Sequence, residues 1–484
     1  MCLSYLIIRC GRTRKPHCAH IYKQQTVVHG PTMLASDPHL VFTAEQVPLI
    51  LVHRMAKHNN RSRPRRREPR QRRASTPTPI DQVKQASAAV QAKRKLMKKQ
   101  KAKEQRQRRF QAAAAAAQRE RRERWGTIAS ETQRIVLGNG QYVEERPAPS
   151  LASSVTQSMD GQGQVRASTP ISHNIAAHIT LSKQRTVFYN HTSEALKLWK
   201  HAHPLTPSPS TQIEFTSKST LHIARELSLL RSTDPLRTTD VGVLSFASAK
   251  RTDSYLNGSS EQEDVLKRSS SLLASLGSAA ADQFYKIHNE WRNKDGSGLQ
   301  DHSMLYSPGV VVFRKDGDDG NPGASPRPHP RSQAGRERDP SDGEFIAPYT
   351  VDVVSAVPVN AAAVRAKHII LPGEESFFEN GIRDSMKERM GRVLRLFELH
   401  GDKALVLGAF GCSSFENNVE TVARIWAELL VCGETVGDVK REPRYKNSFE
   451  QVVFAVPGKL FEPFKKAFEM RVLEEELTNA TLSI

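Results

Sequence analysis

The stretch VGVLSFASAKRTDSYLNGSSEQEDVLKRSSSLLASL, residues 241–276, decides the fold. Its first part, 241–247, is an apolar run of strand length bounded by turn residues, which suits a buried strand. Its last part places Val265, Leu266, Leu272, Leu273 and Leu276 at helical spacing, so one apolar face runs through it. Between them lies a polar loop ending in Gln262, Glu263 and Asp264, three consecutive side chains able to do chemistry. A strand, a loop and a helix start together make the usual ligand position of an open α/β sheet. Ser260, three residues before Glu263, also reads as a capping box that sets the helix start. The acids therefore have two readings: work on a substrate, or the capping of a helix.

The pattern continues on both sides. Residues 212–216, 306–313, 349–357, 404–409 and 451–456 are further short apolar runs of strand type. Helical spacing marks the segment opened by Ser219 (Leu221, Ile223, Ala224, Leu227, Leu230) and that of Ile382, Met386, Met390, Val393, Leu394 and Phe397. It recurs in Val419, Val422, Ala423, Trp426, Leu429 and Leu430, and 460–468 offers a last helix. Strands of this length alternating with amphipathic helices predict a parallel or mixed sheet covered on both faces.

The rest of the chain is of another kind. Of 484 residues 38% are hydrophobic and the mean hydropathy is −0.53, so a large part is expected to be unfolded. The net charge is +20, and residues 61–73 (eight basic, one acidic) with 90–125 (fourteen basic, three acidic) carry 18 of it. The basicity thus describes an N-terminal arm rather than the folded part. Residues 1–85 read as disordered and 86–136 as a long basic helix without a continuous apolar stripe. That arm suits a solvated helix, a nuclear import signal, or non-specific attraction to nucleic acid or another polyphosphate. Residues 137–185 read as a linker, and 314–346 as a disordered Gly/Pro/charged insertion. Five scattered cysteines form no disulfide framework and no C-x-x-C pair, so no metal is expected. No apolar run is long enough for a membrane span, and an intracellular location is the default.

A second loop follows the run 404–409: GAFGCSSFENN, residues 408–418. Gly408 and Gly411 allow close approach of a backbone to a ligand, and a helix start beyond them suits a phosphate. The alternative is a plain strand-to-helix turn with Asn417 and Glu420 as another capping box. Phe410 and Phe415 suit stacking on a base or sugar, or the core.

Taken together, LSFASAK…YLNGSSEQEDVLKRSSSLLASL, YSPGVVVF, VDVVSAVPVNAAAVR and LVLGAFGCSSFENN…VFAV resemble the microbial-type poly(ADP-ribose) glycohydrolase domain. The blocks stand in the family's order, begin near residues 121–132, and leave out the first hundred or so residues. The resemblance implies a three-layer α/β/α macrodomain-like fold with a mixed sheet at 186–472, and hydrolysis of ribose–ribose bonds in poly(ADP-ribose). It implies no cofactor, and ADP-ribose or its polymer as partner. In the family a Gly-Gly-Gly loop cradles the diphosphate and Gln-Glu-Glu follows; the first glutamate holds the ribose and the second acts on the glycosidic oxygen. By position Gln262 and Glu263 match the first two, and Asp264 stands where the acting glutamate belongs. Asn257, Gly258, Gly408, Ala409, Phe410, Gly411, Cys412, Ser413 and Phe415 are then the ligand-binding candidates, with Phe415 as stacking ring. Residues 251–254, RTDS, stand where the family has its glycines, Ser219 where it has an aspartate, and Ser413 where it has a glycine. Three functions stay open: a glycohydrolase using Glu263 and Asp264, a non-catalytic binder of ADP-ribose or its polymer, and a degenerate domain acting through partners.

Overall fold

Strands that are apolar on both sides must be covered on both sides, and this requirement organises the molecule. The computed structural model describes residues 79–147, 168–201, 210–231, 234, 236, 240–294, 296–316, 342–436 and 439–482. The chain divides into two units, Met1–Ala86 and Ser87–Ile484, and the sheet with its covering helices belongs to the second. The expectation of disorder over 1–85 lies outside the described residues as far as residue 78, while 79–85 are helical as the start of α1; most of the 314–346 insertion also lies outside them.

Helix α1 (Pro79–Leu137) leads into a hairpin of β1 (Gln141–Pro147) and β2 (Ser168–Asn174), then α2 (Ala176–Arg185), β3 (Val187–Tyr189) and α3 (Glu194–Lys197). Next come β4 (Gln212–Thr216), α4 (Thr220–Arg231), β5 (Val241–Phe246), α5 (Gln262–Ser269), α6 (Leu272–Leu276), α7 (Ala279–Lys294), β6 (Met304–Arg314) and β7 (Phe345–Ala356). The chain continues through α8 (Ala361–Lys367), α9 (Glu375–His400), β8 (Ala404–Leu407) and α10 (Val419–Ala427). It closes with a small hairpin of β9 (Glu434–Val436) and β10 (Val439–Arg441), then β11 (Gln451–Ala455) and α11 (Phe461–Leu482).

Seven strands form one sheet in the order β3-β6-β7-β5-β8-β11-β4. The five from β7 to β4 are parallel, while at the other edge β6 pairs antiparallel with both β7 and β3. Side chains alternate between two cores, as the strand period of two requires. Leu244, Leu405, Leu407, Val452 and Phe454 join the core formed with α9 and α10, while Val241, Val243, Val406, Val453 and Ala455 join the core formed with α4, α5 and α7. The fold is thus a mixed sheet between two helical layers, as the sequence predicts.

Two segments differ from expectation. Residues 137–185 are not structureless: β1, β2 and α2 lie within them, and Tyr142, Ile175 and Ile179 join Ile135, Val136, Val311 and Phe313 in a third core. The hairpin was missed because QYVEERP and STPISHN bear one or two apolar side chains each, a composition that reads as coil. The C-terminal part of α1 also belongs to the fold, since Ala129, Ile135 and Val136 are buried. Among the described residues no helix is long and apolar enough to cross a membrane.

Candidate active site

The C-terminal ends of β5, β8 and β11 open into a cavity of about 450 Å³. It is lined from β5 and its loop (Phe246, Ser248, Thr252, Ser254), from α5 (Gln262, Glu263, Asp264) and from the second loop (Ala409, Gly411, Ser413, Phe415). After β5 the chain leaves towards β7, and after β8 towards β11, on the other side of β5 in the sheet order. The cavity lies where those connections part, the expected ligand position of an open α/β sheet. A larger hollow of about 670 Å³ near α2 and the start of α7 has Lys183 as its one ionisable lining residue. The acids are gathered in the smaller one.

Gln262 fastens the helix start to the strand. Its Oε1 accepts from the Phe246 amide (2.9 Å) and its Nε2 donates to the Leu244 carbonyl (2.9 Å), so both ends of the amide continue the ladder of β5. This fixes where the next two side chains stand. Glu263 Oε2 accepts from the Ser248 amide (3.2 Å) and from Lys267 Nζ (3.1 Å), while its buried Oε1 has no hydrogen-bond partner. Asp264 Oδ2 accepts from the Ser254 hydroxyl (2.7 Å), and Oδ1 lies 3.5 Å from Lys267 Nζ.

Glu263, Asp264 and Lys267 are each no more than 3% exposed. Burial raises the Glu263 carboxyl above its ordinary range; Lys267 opposes that shift and Asp264 adds to it. The result is a carboxyl that holds its proton at higher pH and has one oxygen uncommitted. Such a group suits proton donation. Tyr285 stands near enough for Glu263 to contribute to the upward shift of its phenol, after burial.

The capping readings do not hold. Helix α5 starts after Glu261, which makes no side-chain cap, and the Glu263 carboxylate goes to the Ser248 amide instead of back to Ser260. In the second loop the cap of α10 is Asn418, whose side chain accepts from Thr421 N (2.9 Å). Asn417 is buried and donates to the carbonyls of Val359 (2.7 Å) and Gly411 (3.0 Å), which ties the loop to the end of β7. Gly411 has φ +72°, and an added Cβ would lie 2.5 Å from Asn417 and 2.6 Å from Pro358, so this turn requires glycine. The two loops meet where Ser414 Oγ donates to Glu261 (3.3 Å).

Not every sequence candidate faces the cavity. Gln262, Glu263, Asp264, Ala409, Gly411, Ser413 and Phe415 line it; Asn257, Gly258, Gly408, Phe410 and Cys412 do not. Gly408 sits against the Ala455 carbonyl and accepts from Trp426 Nε1 (3.2 Å). Phe410 is fully buried against Phe246 (5.4 Å between centroids), and burial pushes the Cys412 thiol up to about 12. Gly258 has φ +66° and holds its Cα against the backbone of Arg122 in α1, where a Cβ would lie 2.0 Å from the carbonyl oxygen. Its glycine serves helix packing. Arg251 also turns away, pairing with Asp282 (2.7 Å), donating to the Leu276 carbonyl (2.9 Å) and covering the Tyr285 ring. Ser219 caps α4 through His222 N (3.1 Å) and donates to Asp316 (2.9 Å).

Sequence reasoning missed Ser248, Ser254 and Lys267. Lys267 had a signal, because positions three and four beyond Asp264 and Glu263 lie on the same helix face. No group of His, Cys, Asp and Glu suited to a metal occurs among the described residues.

Residues 153–315 match the family model described as microbial-type PARG, catalytic domain, a region that contains β5 and α5 and ends before the second loop. No curated protein matches the chain. Among solved structures it is similar to the poly(ADP-ribose) glycohydrolase of Thermomonospora curvata, at 28% identity over 72% of this chain and 98% of that one, TM-score 0.49. It is also similar to the Deinococcus radiodurans glycohydrolase in complex with ADP-ribose, at 26% identity over 61% and 96% of the two chains, TM-score 0.45. By its catalytic-domain match, the chain resembles the microbial-type poly(ADP-ribose) glycohydrolase family.

Proposed function

We propose that the cavity binds the terminal ADP-ribose of a poly(ADP-ribose) chain and hydrolyses the ribose–ribose O-glycosidic bond. The observation that carries this reading is the Glu263 carboxyl, with its raised pKa and its unpartnered oxygen, beside a second acid in a cavity at the strand ends. The match to the catalytic-domain model supports the substrate class. In the step proposed, the Glu263 carboxyl gives its proton to the glycosidic oxygen as the bond to the anomeric carbon breaks. Water adds to that carbon and its proton returns to Glu263, so the group is regenerated. Asp264, which already accepts from Ser254 and Lys267, holds the ribose. This reverses the roles that position alone assigns within the family triplet. Phe415, half-buried on the opposite loop, is the stacking candidate for the adenosine side.

A second reading, an ADP-ribose binder without turnover, is favoured by one observation. Thr252 and Ser254 line the cavity in the loop where the family has glycines, with their hydroxyls bonded to each other (2.9 Å) and Ser254 bonded on to Asp264. Titration calorimetry with ADP-ribose and incubation with purified polymer separate the readings. Heat of binding with release of ADP-ribose supports the hydrolase, and heat without release supports the binder. No heat at millimolar ADP-ribose overturns both.

A further inference from the structure

Residues 90–123 of α1 are exposed at every position, and the seventeen residues 93–109 carry ten cations (Lys93, Arg94, Lys95, Lys98, Lys99, Lys101, Lys103, Arg106, Arg108 and Arg109) against one acid, Glu104. At the rise of an α-helix these ten charges occupy about 25 Å. Among the described residues none of them is held in an ion pair, and they surround the helix instead of forming a stripe beside an apolar face. The helix therefore presents a dense positive rod with nothing to bury, which suits a flexible polyanion far better than a protein groove.

The place where α1 meets the fold favours one polyanion. Where α1 reaches the folded part, its backbone at Arg122 lies against Gly258, and Gly126 lies against the Leu256 carbonyl. Arg268 of α5 covers the Trp125 ring (4.4 Å), and Thr132 Oγ1 donates to the Arg268 carbonyl (2.7 Å). Residues 254–258 thus lie between α1 and the cavity, and their Ser254 holds Asp264. The helix meets the fold at the loop that forms one wall of the site, and its positive rod begins about 20 Å further out, beyond the uncharged residues 110–118.

We infer that α1 binds the phosphates of a poly(ADP-ribose) chain whose end occupies the cavity. The two contacts act on one molecule, so binding at the arm raises the local concentration of polymer ends at the site. This rests on the proposed cavity function only for the choice of polymer.

The test compares the full chain with a variant in which Lys93, Arg94, Lys95, Lys98, Lys99, Lys101 and Lys103 are all changed to Gln, a residue that keeps helix propensity. The probes are long purified poly(ADP-ribose), ADP-ribose itself, and a single-stranded RNA of equal charge. The variant is expected to bind polymer on the order of 10²-fold more weakly at about 50 mM salt, with a shallower dependence on salt. Its ADP-ribose affinity stays unchanged. The unmodified chain is expected to prefer polymer over the RNA, and saturating ADP-ribose removes that preference. Equal polymer affinity in variant and unmodified chain overturns the arm. RNA bound as tightly as polymer by the unmodified chain overturns the polymer as its occupant. Failure of ADP-ribose alone to bind the unmodified chain overturns the cavity reading, and leaves the comparison of the two proteins on polymer as the separate test of the arm.

Discussion

Each end of β5 holds a buried pair of carboxyl groups, and the two pairs are neutralised differently. At the cavity end, Lys267 stands 3.1 Å from Glu263 and 3.5 Å from Asp264. At the other end, Asp352 lies opposite Gly242 in the sheet and accepts from Tyr306 (2.8 Å) and from Gly309 N (2.7 Å). Its neighbour Asp402, before β8, is 2% exposed and finds no donor for either oxygen. Burial first, and then the charges of Asp352 and Asp240, push Asp402 well up; burial and the charge of Asp240 raise Asp352, while Gly309 N, Tyr306 and Asp402 oppose that shift. At the far pair burial is met by a shift of both acids towards the protonated form, at the near pair by a lysine that leaves one glutamate oxygen open. Two buried acids shifted towards the neutral form make structure. A carboxyl with a free oxygen in a cavity is available for chemistry.

The comparison breaks most sharply at Glu263. Glu263→Gln removes the transferable proton while keeping the shape, and turnover of polymer is expected to fall by about 10²- to 10⁴-fold with ADP-ribose binding retained. A rate of ADP-ribose release within a few-fold of the unmodified chain returns the role to Asp264.

Lys267→Met comes next. It leaves two buried acids without a cation, and removal of one partner from a buried pair costs about 3–5 kcal/mol. Urea unfolding is expected to show that loss at pH 8 and a smaller one at pH 5, where protonation of Glu263 removes part of the uncompensated charge. An unfolding midpoint equal to that of the unmodified chain at pH 8 contradicts the view that the lysine is what makes the near pair tolerable.

At the far end the sign is opposite. A carboxyl whose folded pKa is raised contributes stability below its unfolded pKa and loses it as pH rises towards the folded value. Asp402→Asn supplies a donor to Asp352 without needing a proton. It is expected to gain about 1–3 kcal/mol at pH 8 and nothing at pH 4, by thermal or urea unfolding. Destabilisation at both pH values means that the pair is held some other way.

The smallest expected effect is at Ser254. Ser254→Ala deletes one donor to Asp264 at the cavity wall, worth about 1 kcal/mol. Because the hydroxyl orients Asp264 on the ribose, ADP-ribose affinity is expected to fall by a few-fold, and a rise means that the hydroxyl obstructs the ligand instead. Calorimetry with the variant gives the direction.

The sheet was legible because its strands are apolar on both faces, and such runs as VGVLSF and ALVL cannot be mistaken for surface. The polar hairpin β1–β2 was not, since Tyr142 buries one ring while its neighbours stay exposed. At the site, Gln262, Glu263 and Asp264 stood out because three consecutive chemistry-bearing residues end the loop between a strand and a helix. Lys267 escaped because a lysine in a helix reads as surface, and only the fold reveals that the helix face beneath it is buried. Asn257 and Gly258 were assigned to a ligand through the family resemblance. In the structure Gly258 meets the backbone of α1 at Arg122.

The proposed activity and the role of Glu263 meet in one measurement, the pH profile of ADP-ribose release from purified polymer by the full chain. A general acid works only while protonated, so release is expected below the raised pKa of Glu263 and to fall away as pH rises through it. In Lys267→Met that falling limb is expected to move to higher pH, because the cation that opposes the shift is gone. No release at any pH, or release that grows with rising pH, contradicts the account.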